Sequence, residues 1–308
     1  MAALFFLRRS TVNRRHALPR GLALAVSLVL AACISPPRQD QSADSQATAE
    51  TRAAPARAAG TSATEPPEPD QDFGLRWVRE AAEYEAVALQ AYAAATEDLP
   101  RLLADESWSA LPQPPGGPQV REVAIIFDID ETVVNNVEFQ AQLEPPFSEA
   151  KFDTWHEANS SAAVPGAAAF AQRARAAGVK LFFITNRSCV PAAGGDACPQ
   201  KRIALDDLRE AGIEADPREV LLSNEEPGWT QEKQVRRNHV AAKHRVIMLF
   251  GDDLGDFLPC VRRRVYAPCT QPGTRASRLQ QTQASGRFWG EGWYVLPNPM
   301  YGSWTSAQ

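Results

Sequence analysis

The sequence predicts an α/β fold with a central parallel sheet covered by helices on both faces, and three observations point there. Short continuous apolar runs recur between residues 123 and 267, amphipathic stretches separate them, and the clearest runs end in clusters of polar residues. Strands buried on both faces read as unbroken apolar runs, whereas a sheet with one wet face would alternate. Ligand chemistry in such folds gathers beyond the carboxyl ends of the strands.

Taken in order, residues 1–33 predict an export signal. Arg8, Arg9, Arg14, Arg15 and Arg20 form a positive start, and the apolar stretch Leu22 to Ala32 is too short to span a bilayer core, which needs about 20 residues. The ending Leu30-Ala31-Ala32-Cys33 resembles a bacterial lipobox, with Cys33 the residue that is lipidated. Two acyl chains on one residue give stable membrane attachment. Ile34 after the cysteine, rather than Asp, favours the outer membrane. Residues 34–70 are Ala, Pro, Gln, Ser and Thr with scattered charge and predict a disordered tether, so that residues 71–308 form the globular domain.

Phe73 to Ala95 predicts a helix, because Trp77, Ala81, Tyr84, Ala88 and Ala95 recur at three- and four-residue spacing. Past a Pro/Gly-rich break at 112–118, the strands expected are Val123–Phe127, Lys180–Thr185, Glu219–Ser223, Val246–Phe250 and Arg264–Ala267. Helices are expected at Ala167–Ala177, Lys201–Ala211 and Glu232–Lys243.

Charge narrows the function. Of 32 Lys and Arg against 37 Asp and Glu, five arginines lie in residues 1–33, which leaves 27 against 37 and a net charge of −10 beyond the signal. Polynucleotide binding relies on clustered cations to displace counterions, so it is excluded. Four cysteines fall in two local pairs, Cys189 with Cys198 and Cys260 with Cys269. In an exported chain these predict two disulfides. Zinc is the competing reading, for which the spacing fits poorly and only His156, His239 and His244 remain beyond the signal.

The strand ends bring together Asp128-Ile129-Asp130-Glu131-Thr132, Thr185-Asn186-Arg187 and Gly251-Asp252-Asp253-Leu254-Gly255-Asp256, with Lys233 opening a helix nearby. Clustered carboxylates repel unless a hard divalent cation neutralises them, and Asp oxygens suit Mg²⁺. With a phosphate monoester as ligand, Asp128 is placed as an in-line nucleophile that forms an aspartyl-phosphate. Asp130 is placed as the acid and base for the leaving group and the water, its pKa raised by nearby carboxylates. Thr185 and the Asn186 amide hold phosphoryl oxygens, and Lys233 offsets charge. The run Arg262-Arg263-Arg264 reads as a solvated stretch beside the second disulfide.

Asp128-x-Asp130-x-Thr132, Thr185, Lys233 and Gly251-Asp-Asp-x-x-Asp256 resemble the four motifs of the haloacid dehalogenase (HAD) superfamily. Phe127-Asp-Ile-Asp-Glu-Thr-Val133, Leu296-Pro-Asn-Pro-Met-Tyr-Gly-Ser-Trp304 and the helix Trp77–Tyr84 are similar, more narrowly, to the class C bacterial acid phosphatases of the lipoprotein e type. The resemblance implies a Rossmann-like core with a small, mainly helical cap, and Mg²⁺-dependent hydrolysis of nucleoside 5′-monophosphates and other phosphomonoesters. It implies metal ligation by Asp128, by Asp130 through its carbonyl, and by Asp252, with Asp256 close by. It also implies a nucleobase clamp of Phe147 and Tyr301, whereas Trp155 reads as packing. One departure is Asn135-Asn136 where that family has Asp-Asn. The expected partners are small phosphomonoesters and, through the lipid, a membrane; oligomeric state is open, a homo-oligomer included. Two competing functions are a surface binding lipoprotein, for example for haem, that keeps the fold without turnover, and a dehalogenase, which needs no acid at position 130.

Overall fold

A computed structural model describes residues 73–112, 122–158 and 161–306. The export signal, Cys33 and the tether lie outside the described residues. In chain order the elements are α1 (Phe73–Glu80), α2 (Ala82–Ala104), β1 (Glu122–Phe127), β2 (Val134–Asn135), α3 (Val137–Gln142), α4 (Glu149–Ala158), β3 (Ala162–Ala163) and α5 (Ala167–Ala176). They continue with β4 (Lys180–Ser188), α6 (Pro199–Glu210), β5 (Val220–Ser223), α7 (Gln234–Ala241), β6 (His244–Gly251), α8 (Arg275–Ala284) and β7 (Trp293–Val295).

Five strands form the central sheet in the order β5-β4-β1-β6-β7, every neighbouring pair parallel. The alternation of side chains along each strand divides the core in two. Ile125, Phe127, Leu181, Phe183, Val220 and Leu222 pack with α2, α5 and α6 on one face, while Ala124, Ile126, Ile184 and Leu221 pack with Val240 and Ala241 of α7 on the other. Across the first face runs a ladder of rings. Phe127 stacks on Phe250 at 4.7 Å and on Phe183 at 5.5 Å, and Phe250 stacks on Tyr294 at 5.0 Å and on Tyr92 of α2 at 5.2 Å. Buried offset rings add about 0.5–1.5 kcal/mol per pair beyond their area. This fixes the strands whose ends carry the polar clusters.

Four expected strands are present, and the fifth is corrected. Arg264–Ala267 forms no strand but lies in the loop closed by the Cys260–Cys269 disulfide, with Val265 exposed to solvent. The fifth strand is β7, three residues long, whose Trp293 is fully buried and donates its indole N–H to the Ala110 carbonyl at 2.6 Å. Between β1 and β4 a small cap is inserted, made of α3, α4 and the β2–β3 ribbon.

Candidate active site

Strand β1 delivers Asp128 at its carboxyl end, where the Asp128 amide donates to the Phe250 carbonyl of β6 at 2.9 Å. The chain then turns sharply, with the amides of Val133 and Val134 both donating to the Ile129 carbonyl and Glu131 in the left-handed region at φ 57°. Strand β6 ends in Gly251, where a Cβ would lie 2.3 Å from the Asp256 side chain. Only glycine lets the Asp256 carboxylate fold back over the strand end, where it accepts from the Asp253 amide at 2.9 Å.

Asp128, Asp252 and Asp256 offer carboxylate oxygens that all lie within 4.8 Å of one another. Lys233, buried at the entrance to α7, reaches Asp128 at 2.5 Å and Asp256 at 2.6 Å. Burial disfavours its charge, but these two carboxylates outweigh that and hold the ammonium well on the protonated side. Burial pushes Asp128 up to about 7, against the pull of Lys233. Asp252 is raised well above the usual range by burial and then by Asp128, although it accepts from the Asn298 amide at 2.7 Å. Three carboxylates against one ammonium leave negative charge uncompensated, and the donors are all hard oxygens. This set fits a divalent cation of the Mg²⁺ type.

Asp130, two residues on, takes different partners. Arg187 of β4 grips it with a two-pronged contact, Nη2 to Oδ1 at 2.7 Å and Nε to Oδ2 at 3.1 Å. Asn136 donates to it at 2.9 Å and Thr185 at 3.3 Å. Burial acts to raise Asp130, but Arg187 overrides it and holds the carboxyl down at about 2. The expectation that neighbouring carboxylates raise it is therefore corrected: the Arg187 guanidinium bonded to it outweighs burial. Arg187 also donates to Asp207 of α6 at 2.5 Å, and Asp207 lies 2.9 Å from Nδ1 of the buried His156 of α4. Asn186 accepts from Arg236 at 2.8 Å.

The C-terminal segment closes the site from above. Ser303 donates its amide and hydroxyl to Asp253 at 2.6 and 2.8 Å, and the Tyr301 hydroxyl donates to Glu131 at 2.8 Å. Burial nonetheless pushes Glu131 up to about 8. A cavity of about 480 Å³ opens over this floor, bounded by Asp128, Lys233, Asp252, Phe147, Phe152 and Tyr301 among others. Phe147 is half exposed and contacts Phe139 and Phe152, so both expected clamp residues line the cavity. Asn136 is fully buried, bonded to Asp130 and accepting from Ser161 at 2.7 Å, while the Asn135 side chain accepts from the Val137 amide at 2.9 Å.

Both expected disulfides are formed, Cys189–Cys198 and Cys260–Cys269. Glu232 accepts from the Cys260 amide at 3.0 Å beside the second one, and with the sulfurs bonded to each other the zinc reading fails there. Sequence reasoning placed Arg187 at a strand end without a role and missed Asp207 and His156 as parts of the site. A signal for Asp207 was present, since it falls on the apolar face of α6 with Ile203, Ala204 and Leu208. Arg262 is corrected as well: it is not fully solvated but lines the cavity, 3.8 Å from Asp253.

A family of known proteins, described as HAD superfamily, subfamily IIIB (acid phosphatase), matches residues 38–304. The chain belongs to this family of acid phosphatases. Its fold resembles the class C acid phosphatase from Bacillus anthracis, with 26% identity and a TM-score of 0.60 over 77% of this chain and 87% of that one. A structure of that Bacillus anthracis enzyme with tungstate bound matches equally, at 27% identity and a TM-score of 0.61. This acid phosphatase is thus a phosphomonoester hydrolase with a HAD core, and its polar strand ends lie where the fold class places ligand chemistry.

Proposed function

We propose that this phosphatase hydrolyses phosphate monoesters through an aspartyl-phosphate on Asp128, with Mg²⁺ as cofactor, nucleoside 5′-monophosphates among its substrates, and a lipid anchor at Cys33 that keeps it at the outer membrane. The observation that carries the reading is the buried cluster of Asp128, Asp252, Asp256 and Lys233 on the floor of a cavity large enough for an organic phosphate. Asp128, Asp252 and the Asp130 carbonyl would hold the cation, with Asp256 adjoining. A bound Mg²⁺ supplies charge neutralisation for the anionic substrate.

The chain's own residues do the rest. Lys233, charged and fixed between two carboxylates, meets the phosphoryl oxygens as Asp128 attacks phosphorus. The P–O bond to the leaving group breaks, the departing oxygen taking a proton from solvent, and Asp130, held ionised, takes one from the water that hydrolyses the aspartyl-phosphate. Arg187 favours the ionised form of Asp130, which is the form needed for the second step. Phe147 and Tyr301 flank the organic part and offer stacking faces to a base. An acid at position 130 is not required by a dehalogenase, and its presence two residues after Asp128 favours phosphate transfer.

Phosphate release from AMP by the purified domain, with Mg²⁺ and after chelation, tests the reading. Turnover should require the metal; undiminished activity in chelator would reject the metal assignment. For the anchor, Cys33→Ser should move the protein to the soluble fraction with unchanged catalytic constants, and membrane retention after a high-salt wash would reject it.

A further inference from the structure

Three cations line the catalytic cavity: Arg187, Lys233 and Arg262. Arg187 is spent on Asp130 and Asp207, and Lys233 on Asp128 and Asp256. Arg262 is different. It approaches Asp253 only at 3.8 Å, and that carboxylate is already met by the Gly255 amide at 2.8 Å and by the Ser303 amide and hydroxyl. Among the described residues the Arg262 guanidinium donates no hydrogen bond, and its side chain is 24% exposed. A guanidinium fork matches carboxylate and phosphate geometry, and here, beyond the 3.8 Å ion pair with Asp253, its N–H groups hold no hydrogen bond at the cavity wall.

The loop that carries Arg262 is held in place. It is closed by the Cys260–Cys269 disulfide, the Gly273 amide donates to the Arg262 carbonyl at 2.7 Å, and the Cys260 amide donates to Glu232, the neighbour of Lys233. Tyr266 of the same loop also lines the cavity, with the Arg264 guanidinium 5.3 Å from its ring. Arg263 and Arg264 are exposed and extend the positive charge outward on an otherwise acidic protein.

We propose that the Cys260–Cys269 loop builds a second anion subsite into the cavity wall, in which Arg262 binds a further negatively charged group on the organic part of the substrate. The favoured substrates are then phosphate monoesters that also carry a carboxylate or a second phosphate. This rests on the phosphomonoesterase reading of the cavity but not on the base clamp. Because the loop is pre-organised, little ordering entropy opposes the contact.

The test compares 3-phosphoglycerate, which carries a carboxylate, with β-glycerophosphate, which has none, on wild type, Arg262→Ala and Arg262→Lys. The alanine variant should lose about tenfold or more in kcat/KM on 3-phosphoglycerate, mainly through KM, as expected for a lost charge-assisted hydrogen bond. On β-glycerophosphate it should stay within about twofold, the lysine variant should fall between on the anionic ester, and added salt should erode the wild-type preference. Equal losses on both esters would overturn the subsite in favour of a structural role beside Asp253, and no loss on either would overturn it outright. If the alanine variant fails to melt cooperatively, the lysine variant carries the same comparison with a smaller shift. A wild-type enzyme inert toward both esters would strike the phosphomonoesterase reading and the subsite with it.

Discussion

The floor of the cavity has two sides built from carboxylates two residues apart, and they are neutralised in opposite ways. On the strand-end side, Asp128, Asp252 and Asp256 cluster around one ammonium that reaches only Asp128 and Asp256, and burial pushes Asp128 up to about 7. On the cap side, Asp130 has the Arg187 fork to itself apart from Asp207, and is held at about 2. One side is short of positive charge and suits a cation; the other has its positive charge built in. Identical side chains on one turn thus take different parts because the neighbouring strands bring them different partners.

Asp128→Asn tests the strand-end side with the largest expected effect. It should lower kcat by three or more orders of magnitude, in line with removal of a nucleophile, while the folded protein still binds Mg²⁺. Asp252→Ala should also be severe, but excess Mg²⁺ should recover part of its rate, which it should not do for Asp128→Asn. Equal indifference of both variants to added metal in a rate assay would erase the division of roles.

Arg187→Gln probes the cap side through stability. Removing one partner of a buried ion pair costs about 3–5 kcal/mol, because Asp130 and Asp207 are left as uncompensated buried charges. The folded-state pKa of Asp130 is depressed, so its contribution is present above the unfolded carboxylate value and lost as pH falls through about 2. The deficit of the variant should therefore be full at neutral pH and narrow as pH falls below 4. Urea melts across that range check it, and a deficit independent of pH would remove the ion pair as its cause.

The smallest effect concerns the rim. If Phe147 and Tyr301 stack on a base at about 1–3 kcal/mol each, replacing both by Ala should cut kcat/KM for AMP far more than for β-glycerophosphate. A uniform loss would point to packing, since Tyr301 also bonds Glu131.

The strands β1, β4, β5 and β6 and their polar ends were legible because continuous burial on two faces leaves unbroken apolar runs. The edge strand β7 was not, since its three residues, in a four-residue run between Gly292 and Pro297, carry no period. Arg264–Ala267 mimicked a strand with Val265 and Tyr266, yet the disulfide turns that stretch into a loop and leaves Val265 in water. Asp128, Lys233 and Asp252 stood out by spacing. The Arg187, Asp207 and His156 set did not, because its members come from a strand, a helix and the cap, and only the folded chain makes them neighbours. Arg262 was hidden by its companions: three arginines in a row look solvated, and which of them turns inward is decided by tertiary structure.

The central claim is that Asp128 takes the phosphoryl group. Acid-quenching the enzyme during turnover and mapping the phosphoryl adduct by peptide mass spectrometry tests it most directly. The adduct should sit on Asp128 in the wild type and be absent from Asp128→Asn. A phosphoryl group on any other residue, or wild-type turnover by Asp128→Asn, would contradict the account.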